Sequence, residues 1–168
     1  MKIRRVASNT LGKSFLKMAS RLACSKDIEN AINSATLPAS TKNITSSITN
    51  SLRSSQGWDR REFKNFYSIK KMAGAGRQIG IDARHAIDGA CVEIELSNQT
   101  TFSHDLLKLE TAHLNGHCKF GVVIVLTDKT RDAISGHCVS YLTFSKALHW
   151  LRIYSHLRVP IVIVGIGN

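Results

Sequence analysis

Three acidic side chains in this 168-residue sequence are spaced so that they could hold a metal ion. From Ala90 to Leu96, apolar and acidic residues alternate, which is a strand pattern. Glu93 and Glu95 therefore share one face. Asp82, in Ile81-Asp82, reads as the end of a preceding strand. If the two strands form a hairpin, the three carboxylates converge. Such a group repels itself and is costly where partly buried. It becomes reasonable when a hard divalent cation neutralises it, and Mg2+ takes one or two carboxylates plus water and phosphate oxygens. Alternation alone more commonly marks the solvated polar face of an edge strand. Asp88 is the reserve ligand for Asp82. It lies much closer to Glu93, and Asp88-Gly89 reads as a turn.

Other chemistry-bearing residues carry weaker patterns. His113, His117, Cys118, His137 and Cys138 lack a Cys-x-x-Cys pair, and Gly116 is expected to end a helix before His117. No zinc site is expected from them. His149 and Cys91 are expected to pack. Asp105 and Glu110 are expected to cap or solvate a helix. Gly74, Gly76 and Gly80 bracket Arg77 but follow no strand, so they make a poor phosphate-cradling loop.

Charge points to a polyanion. The net charge is +11, and all of it comes from residues 1–80, which hold 15 basic and 4 acidic side chains. Residues 81–168 hold 8 of each. A basic half joined to a balanced half suggests nucleic acid as partner. Lys64, Lys70, Lys71 and Arg77 are the candidates for the phosphate backbone, against the default of a solvated face. Ser97 and Asn98, directly after the acidic strand, could bond phosphate or adenine, or simply end the strand.

The elements that must position these residues follow from periodicity. The first 26 residues lack acids and resemble an organelle leader in composition. Phe15, Met18, Leu22, Ile28 and Ile32 nevertheless fall near helical spacing past Asp27 and Glu29, so a basic domain helix is expected there. Ile44, Ile48 and Leu52 share a helical face, with Ser40 or Thr41 as cap and Gly57 as terminator. A helix with a capping Ser and a face of Leu106, Leu107 and Leu109 is expected over 103–114. Another is expected over 141–156. Phe120 to Leu126 and Val159 to Ile166 read as buried strands, and single helices between such runs imply parallel crossovers. The fold class is α/β, with helices also at the N-terminus. Residues 1–78 read as a basic helical part and 79–168 as the core of one continuous domain. No apolar run approaches a membrane span. Four irregularly spaced Cys without a signal segment read as reduced thiols of a cytoplasmic protein.

With these pieces in order, the chain resembles the PD-(D/E)xK nuclease superfamily, and within it type II restriction endonucleases of the BglII and BamHI kind. The resemblance runs from about Gly80 to the C-terminus. It rests on Val92-Glu93-Ile94-Glu95-Leu96-Ser97-Asn98, on Gly121-Val122-Val123-Ile124-Val125 followed by Thr127-Asp128-Lys129, and on Val159-Pro160-Ile161-Val162-Ile163-Val164-Gly165-Ile166. It implies a central mixed sheet flanked by helices and a Mg2+-dependent endonuclease acting on double-stranded DNA. Asp82 and Glu93 would be the metal ligands. Glu95 would take the position two beyond, usually Lys in the superfamily, where it orients or deprotonates water or touches a metal. The resemblance also implies a homodimer, a short palindromic target with a GATC-type core, and a cognate DNA methyltransferase. Other readings are a repair or structure-specific nuclease of the same superfamily, and a non-catalytic DNA-binding module.

Overall fold

The two most apolar runs form the middle of the sheet. This computed structural model describes residues 1–36, 40–59, 62–63, 79–135 and 141–168. Strand β7 (Phe120–Leu126) and strand β8 (Ile161–Gly167) are buried along their whole length and pair in parallel, Gly121 opposite Ile161 through Leu126 opposite Ile166. Strands buried on both faces are expected to read as continuous β-branched runs. Strand β6 (Ala90–Ile94) lies parallel to β7 on its other side. Beyond it, β5 (Ala83–His85) turns back as a hairpin, and the short β2 (Trp58–Asp59) forms the edge. Helix α4 (Phe102–Leu114) connects β6 to β7, and helices α5 (Asp128–Ser135) and α6 (Phe144–Ile153) connect β7 to β8.

The opposite edge differs from expectation. Lys2–Ser8 is not helical but forms strand β1, antiparallel to β8, giving the order β1-β8-β7-β6-β5-β2. A register irregularity between Ile3 and Arg5 breaks the period-two signal, and Lys2, Arg4 and Arg5 face solvent. The predicted helix after it is also interrupted. Helix α1 (Lys13–Met18) passes through a 3-10 turn, and Leu22 is extended before helix α2 (Ala23–Ser34). Helix α3 (Thr41–Ser54) starts at Ser40, whose hydroxyl accepts the Asn43 N–H. Two further short strands, β3 (Glu62–Phe63) and β4 (Ile79–Gly80), pair separately.

The sheet buries both faces, and parity along each strand decides which residue meets which layer. Val92 and Ile94 of β6 join Ile28, Ile32, Ile44, Ile48 and Leu52 of α2 and α3. Cys91 of β6, with Val123 and Val125 of β7, meets Phe102, Leu106 and Leu109 of α4 and Ala147 and Leu151 of α6. Leu107, expected on the buried face, is half exposed. The buried face runs instead through Phe102, Leu106 and Leu109, and the helix begins one residue earlier than the capping Ser suggested. Gly121 lets α4 lie close on the sheet, since a Cβ there would stand 2.8 Å from Leu109 Cδ1. No helix among the described residues is long and apolar enough to cross a membrane.

Candidate active site

The β5–β6 register determines what stands beside Glu93. Ala83 pairs with Val92 and Arg84 with Cys91, so continuing the ladder sets Asp82 opposite Glu93. Asp82 Oδ2 accepts the backbone N–H of Ile94 at 2.9 Å, which ties the carboxylate to the strand beside Glu93. Arg53 of α3 donates through Nε (3.1 Å) and Nη2 (2.8 Å) to the Asp82 carbonyl oxygen, fixing the backbone just before β5.

Glu93 has odd parity and so points under α4. Two residues of that helix meet it. Lys108 Nζ lies 2.8 Å from Glu93 Oε1 and 2.8 Å from Asp105 Oδ1, and reaches the Gly80 carbonyl at 3.5 Å. All three side chains are buried, Lys108 at 12 % exposed and Glu93 at 4 %. Glu93 Oε1 has the ammonium at ion-pair distance but no hydrogen bond of proper geometry. Burial, reinforced by the neighbouring Asp82 and Asp105 charges, pushes the Glu93 carboxyl well above its ordinary value despite Lys108. Burial raises Asp105 in the same way. Burial pulls the Lys108 ammonium down, but Glu93 and Asp105 more than offset this and hold it above its ordinary value. Asp105 is therefore not the solvated helix residue expected from sequence. Glu110, two residues beyond Lys108, accepts the backbone N–H groups of Arg158 and Val159 and steadies the entry to β8.

Glu95 shares the face of Glu93 and holds a turn. Its Oε1 accepts the backbone N–H groups of Ser97 (3.0 Å) and Asn98 (2.7 Å) and the Ser97 hydroxyl, and its Oε2 accepts the Thr101 hydroxyl. Asn98 Oδ1 in turn accepts the Thr100 N–H and hydroxyl. Ser97 is exposed and Asn98 half-buried at the mouth of the site.

Asp88 is taken elsewhere. It sits in the β5–β6 turn, at the other end of β6 from Glu93, and its Oδ2 accepts the Cys24 backbone N–H at 2.8 Å. Burial, then the hydrogen bond to Asp88, pushes the Cys24 thiol up to about 12. His113 and Cys118 are engaged locally, His113 Nδ1 with the Cys118 carbonyl and Cys118 Sγ with that of Phe120. Lys64, Lys70, Lys71 and Arg77, with Gly74, Gly76, His137 and Cys138, lie outside the described residues.

Glu93 and Asp105 share Lys108, and Asp82 and Glu95 add further negative charge nearby; the donors are hard oxygens. That set suits a divalent cation such as Mg2+. It lies on the β5–β6 hairpin, where the antiparallel strands of the mixed sheet meet its parallel ones, covered by the crossover helix α4.

Comparison with known proteins decides what this arrangement belongs to. The family model described as restriction endonuclease BglII/BglIII matches residues 6–166. The chain belongs to that family. As a BglII/BglIII-family protein it is a type II site-specific deoxyribonuclease. Among solved structures it is similar to the crystal structure of restriction endonuclease BglII complexed with a DNA 16-mer. The TM-score is 0.64 at 17% identity, over 98% of this chain and 76% of that one. It is also similar to free BglII, with a TM-score of 0.47 at 16% identity, over 100% and 80% of the two chains. No curated protein matches at the level of sequence. The complex shares the fold, a mixed sheet flanked by helices. Restriction endonucleases generally use a divalent metal ion.

Proposed function

We propose that this BglII/BglIII-family chain hydrolyses phosphodiester bonds in double-stranded DNA with Mg2+ held by Asp82 and Glu93, and cuts a short palindrome as a homodimer. The observation that supports the ligand assignment is the hydrogen bond from the Ile94 N–H to Asp82 Oδ2, which holds that carboxylate beside Glu93 at the end of the β5–β6 ladder. Bound there, Mg2+ would lower the pKa of water and neutralise charge developing on the phosphate.

The chain's own groups do the rest. Asp82 and Glu93 present oxygens from two neighbouring strands, so their separation is set by the ladder rather than by loose side chains. Lys108 supplies a positive charge from α4 where the superfamily's usual strand lysine is replaced by Glu95. Asp105 holds Lys108 against the sheet. Glu95 Oε2, which takes the Thr101 hydroxyl, has a lone pair left to orient the attacking water. Water attacks in line and the 3′-oxygen leaves. Because Glu95 also anchors Ser97 and Asn98, the residues offered to DNA are coupled to the catalytic strand. The neighbouring BglII–DNA complex supports duplex DNA as the substrate. Leu107 and Leu114, half exposed or more and two turns apart on α4, supply an apolar stripe for a two-fold partner. Lys64, Lys70, Lys71 and Arg77 are proposed for phosphate contacts on charge alone. A cognate methyltransferase would protect the target in the host.

The test is incubation of purified protein with unmethylated phage DNA, with Mg2+, with Ca2+ and with EDTA. A fixed set of fragments with Mg2+ only is the expected result. Intact linear duplex together with cleaved branched DNA would select the structure-specific reading. Binding without any metal-dependent cleavage would select the non-catalytic one.

A further inference from the structure

Away from the carboxylate site, three potential metal ligands from separate parts of the sequence meet where α2 joins the hairpin. Cys24 is the second residue of α2, His85 ends β5, and Asp88 lies in the turn before β6. Cys24 Sγ, a ring nitrogen of His85 and a carboxylate oxygen of Asp88 all lie within 4.8 Å of one another. Cys24 and His85 are each 1 % exposed, so this is an interior group and not a surface coincidence.

Polar atoms of His85 and Asp88 converge at the centre of this group. The Asp88 backbone N–H donates to His85 Nδ1 at 3.2 Å, which assigns Nδ1 a lone pair. Asp88 Oδ2, which accepts the Cys24 backbone N–H, stands 3.1 Å from the same nitrogen. In the tautomer with its proton on Nε2, Nδ1 and the Asp88 carboxylate offer lone pairs to one neighbourhood, as two ligands of one ion do. The other ring nitrogen is directed away: a Cβ at Gly57 would lie 2.8 Å from Nε2, so backbone seals that side, and the Trp58 ring is 5.1 Å from the imidazole. The Cys24 backbone N–H holds Oδ2 in place on the ligand side. Asp88, 15 % exposed, leaves a path for an ion to enter.

We propose that Cys24, His85 and Asp88 bind one Zn2+ ion that clips the start of α2 to the β5–β6 hairpin. One thiolate, one imidazole and one carboxylate form a donor set for Zn2+ or its analogue Co2+, not for Mg2+. On binding, the Cys24 thiol proton leaves to solvent, and the Nδ1 lone pair turns from the Asp88 N–H to the metal while Nε2 keeps its proton. The clip lies at the far end of the hairpin whose other end carries Asp82 and Glu93, so it is a second site and not part of the first.

The experiment uses the full chain. Metal-stripped wild-type protein is titrated with Co2+ and read by absorption. A thiolate-to-cobalt band in the near ultraviolet, abolished by stoichiometric Zn2+, is the expected result, and binding without a sulfur band overturns the proposal. The band should persist in the Asp82→Ala Glu93→Ala protein, which separates this site from the proposed Mg2+ site. It should disappear in Cys24→Ser and fall about 10–100-fold in affinity in His85→Gln. A Cys24→Ser protein that folds by circular dichroism and keeps the band overturns the assignment. If Cys24→Ser does not fold, the His85→Gln titration decides, and unchanged affinity there overturns it too.

Discussion

Lys108 bridges two buried carboxylates, one from the sheet and one from its own helix: Nζ is 2.8 Å from Glu93 Oε1 and 2.8 Å from Asp105 Oδ1. Removing it leaves both acids without their cation. Breaking a buried pair this way costs about 3–5 kcal/mol. Lys108→Met is therefore expected to melt well below wild type without divalent metal and to regain part of the loss when Mg2+ is added. Its single-turnover cleavage should fall on the order of 10²-fold or more. Thermal melts with and without Mg2+, beside single-turnover assays, check both. An unchanged rate would remove Lys108 from the chemistry.

Glu93 makes stability depend on pH in a definite direction. Its folded-state pKa is raised, so the unfolded chain binds fewer protons between the two values and stability falls as pH rises through that window. Glu93→Gln removes the penalty. The variant should match wild type below about pH 4.5, where the carboxyl is protonated in both states. It should be more stable above the raised value, while cleavage is lost. A constant difference across the pH range would refute the assignment of the effect to Glu93.

Asp82 combines two roles that separate by substitution. Asp82→Asn keeps an oxygen for the Ile94 N–H but loses the charge, whereas Asp82→Ala loses both. Both should abolish cleavage with DNA binding retained. Only the Ala variant should lose stability, by about 1 kcal/mol. Denaturant melts and calorimetric Mg2+ titrations measure the two effects. Full activity of Asp82→Asn would mean that the ligand lies elsewhere.

Glu95 differs from Asp82 because its carboxylate holds the turn at Ser97 and Asn98. Glu95→Ala should reduce DNA affinity as well as rate. Glu95→Gln keeps an acceptor for those N–H groups and should reduce rate with a smaller effect on binding. Equal affinities for the two variants would show that the turn does not depend on this anchor.

Much of this was legible in the sequence for physical reasons. β7 and β8 are unbroken β-branched runs, α3 carries a clean four-residue repeat with a Ser cap, and the Asp82–Glu93 hairpin follows from alternation. β1 was not legible, because the irregularity after Ile3 places Arg4 and Arg5 together and hides the alternation. Asp105 and Lys108 were missed for a different reason. An acid and a base three apart on an amphipathic helix read as a solvent pair, and only the parity of β6 beneath α4 reveals that they face Glu93. The Cys24, His85 and Asp88 group has no motif, since 61 residues separate the first two.

The pairing of β1 with β8 has a consequence for biosynthesis. Lys2 lies opposite Gly167 and Ser8 opposite Val162, so β1 is made long before the strand it pairs with. At ~5–20 residues per second on the ribosome, that wait is on the order of ten seconds. During it β1 is a lone strand, the kind of segment that recruits unwanted partners. Lys2, Arg4 and Arg5 keep it charged through that interval. The edge of the sheet that β1 completes thus stays open until β8 has been made.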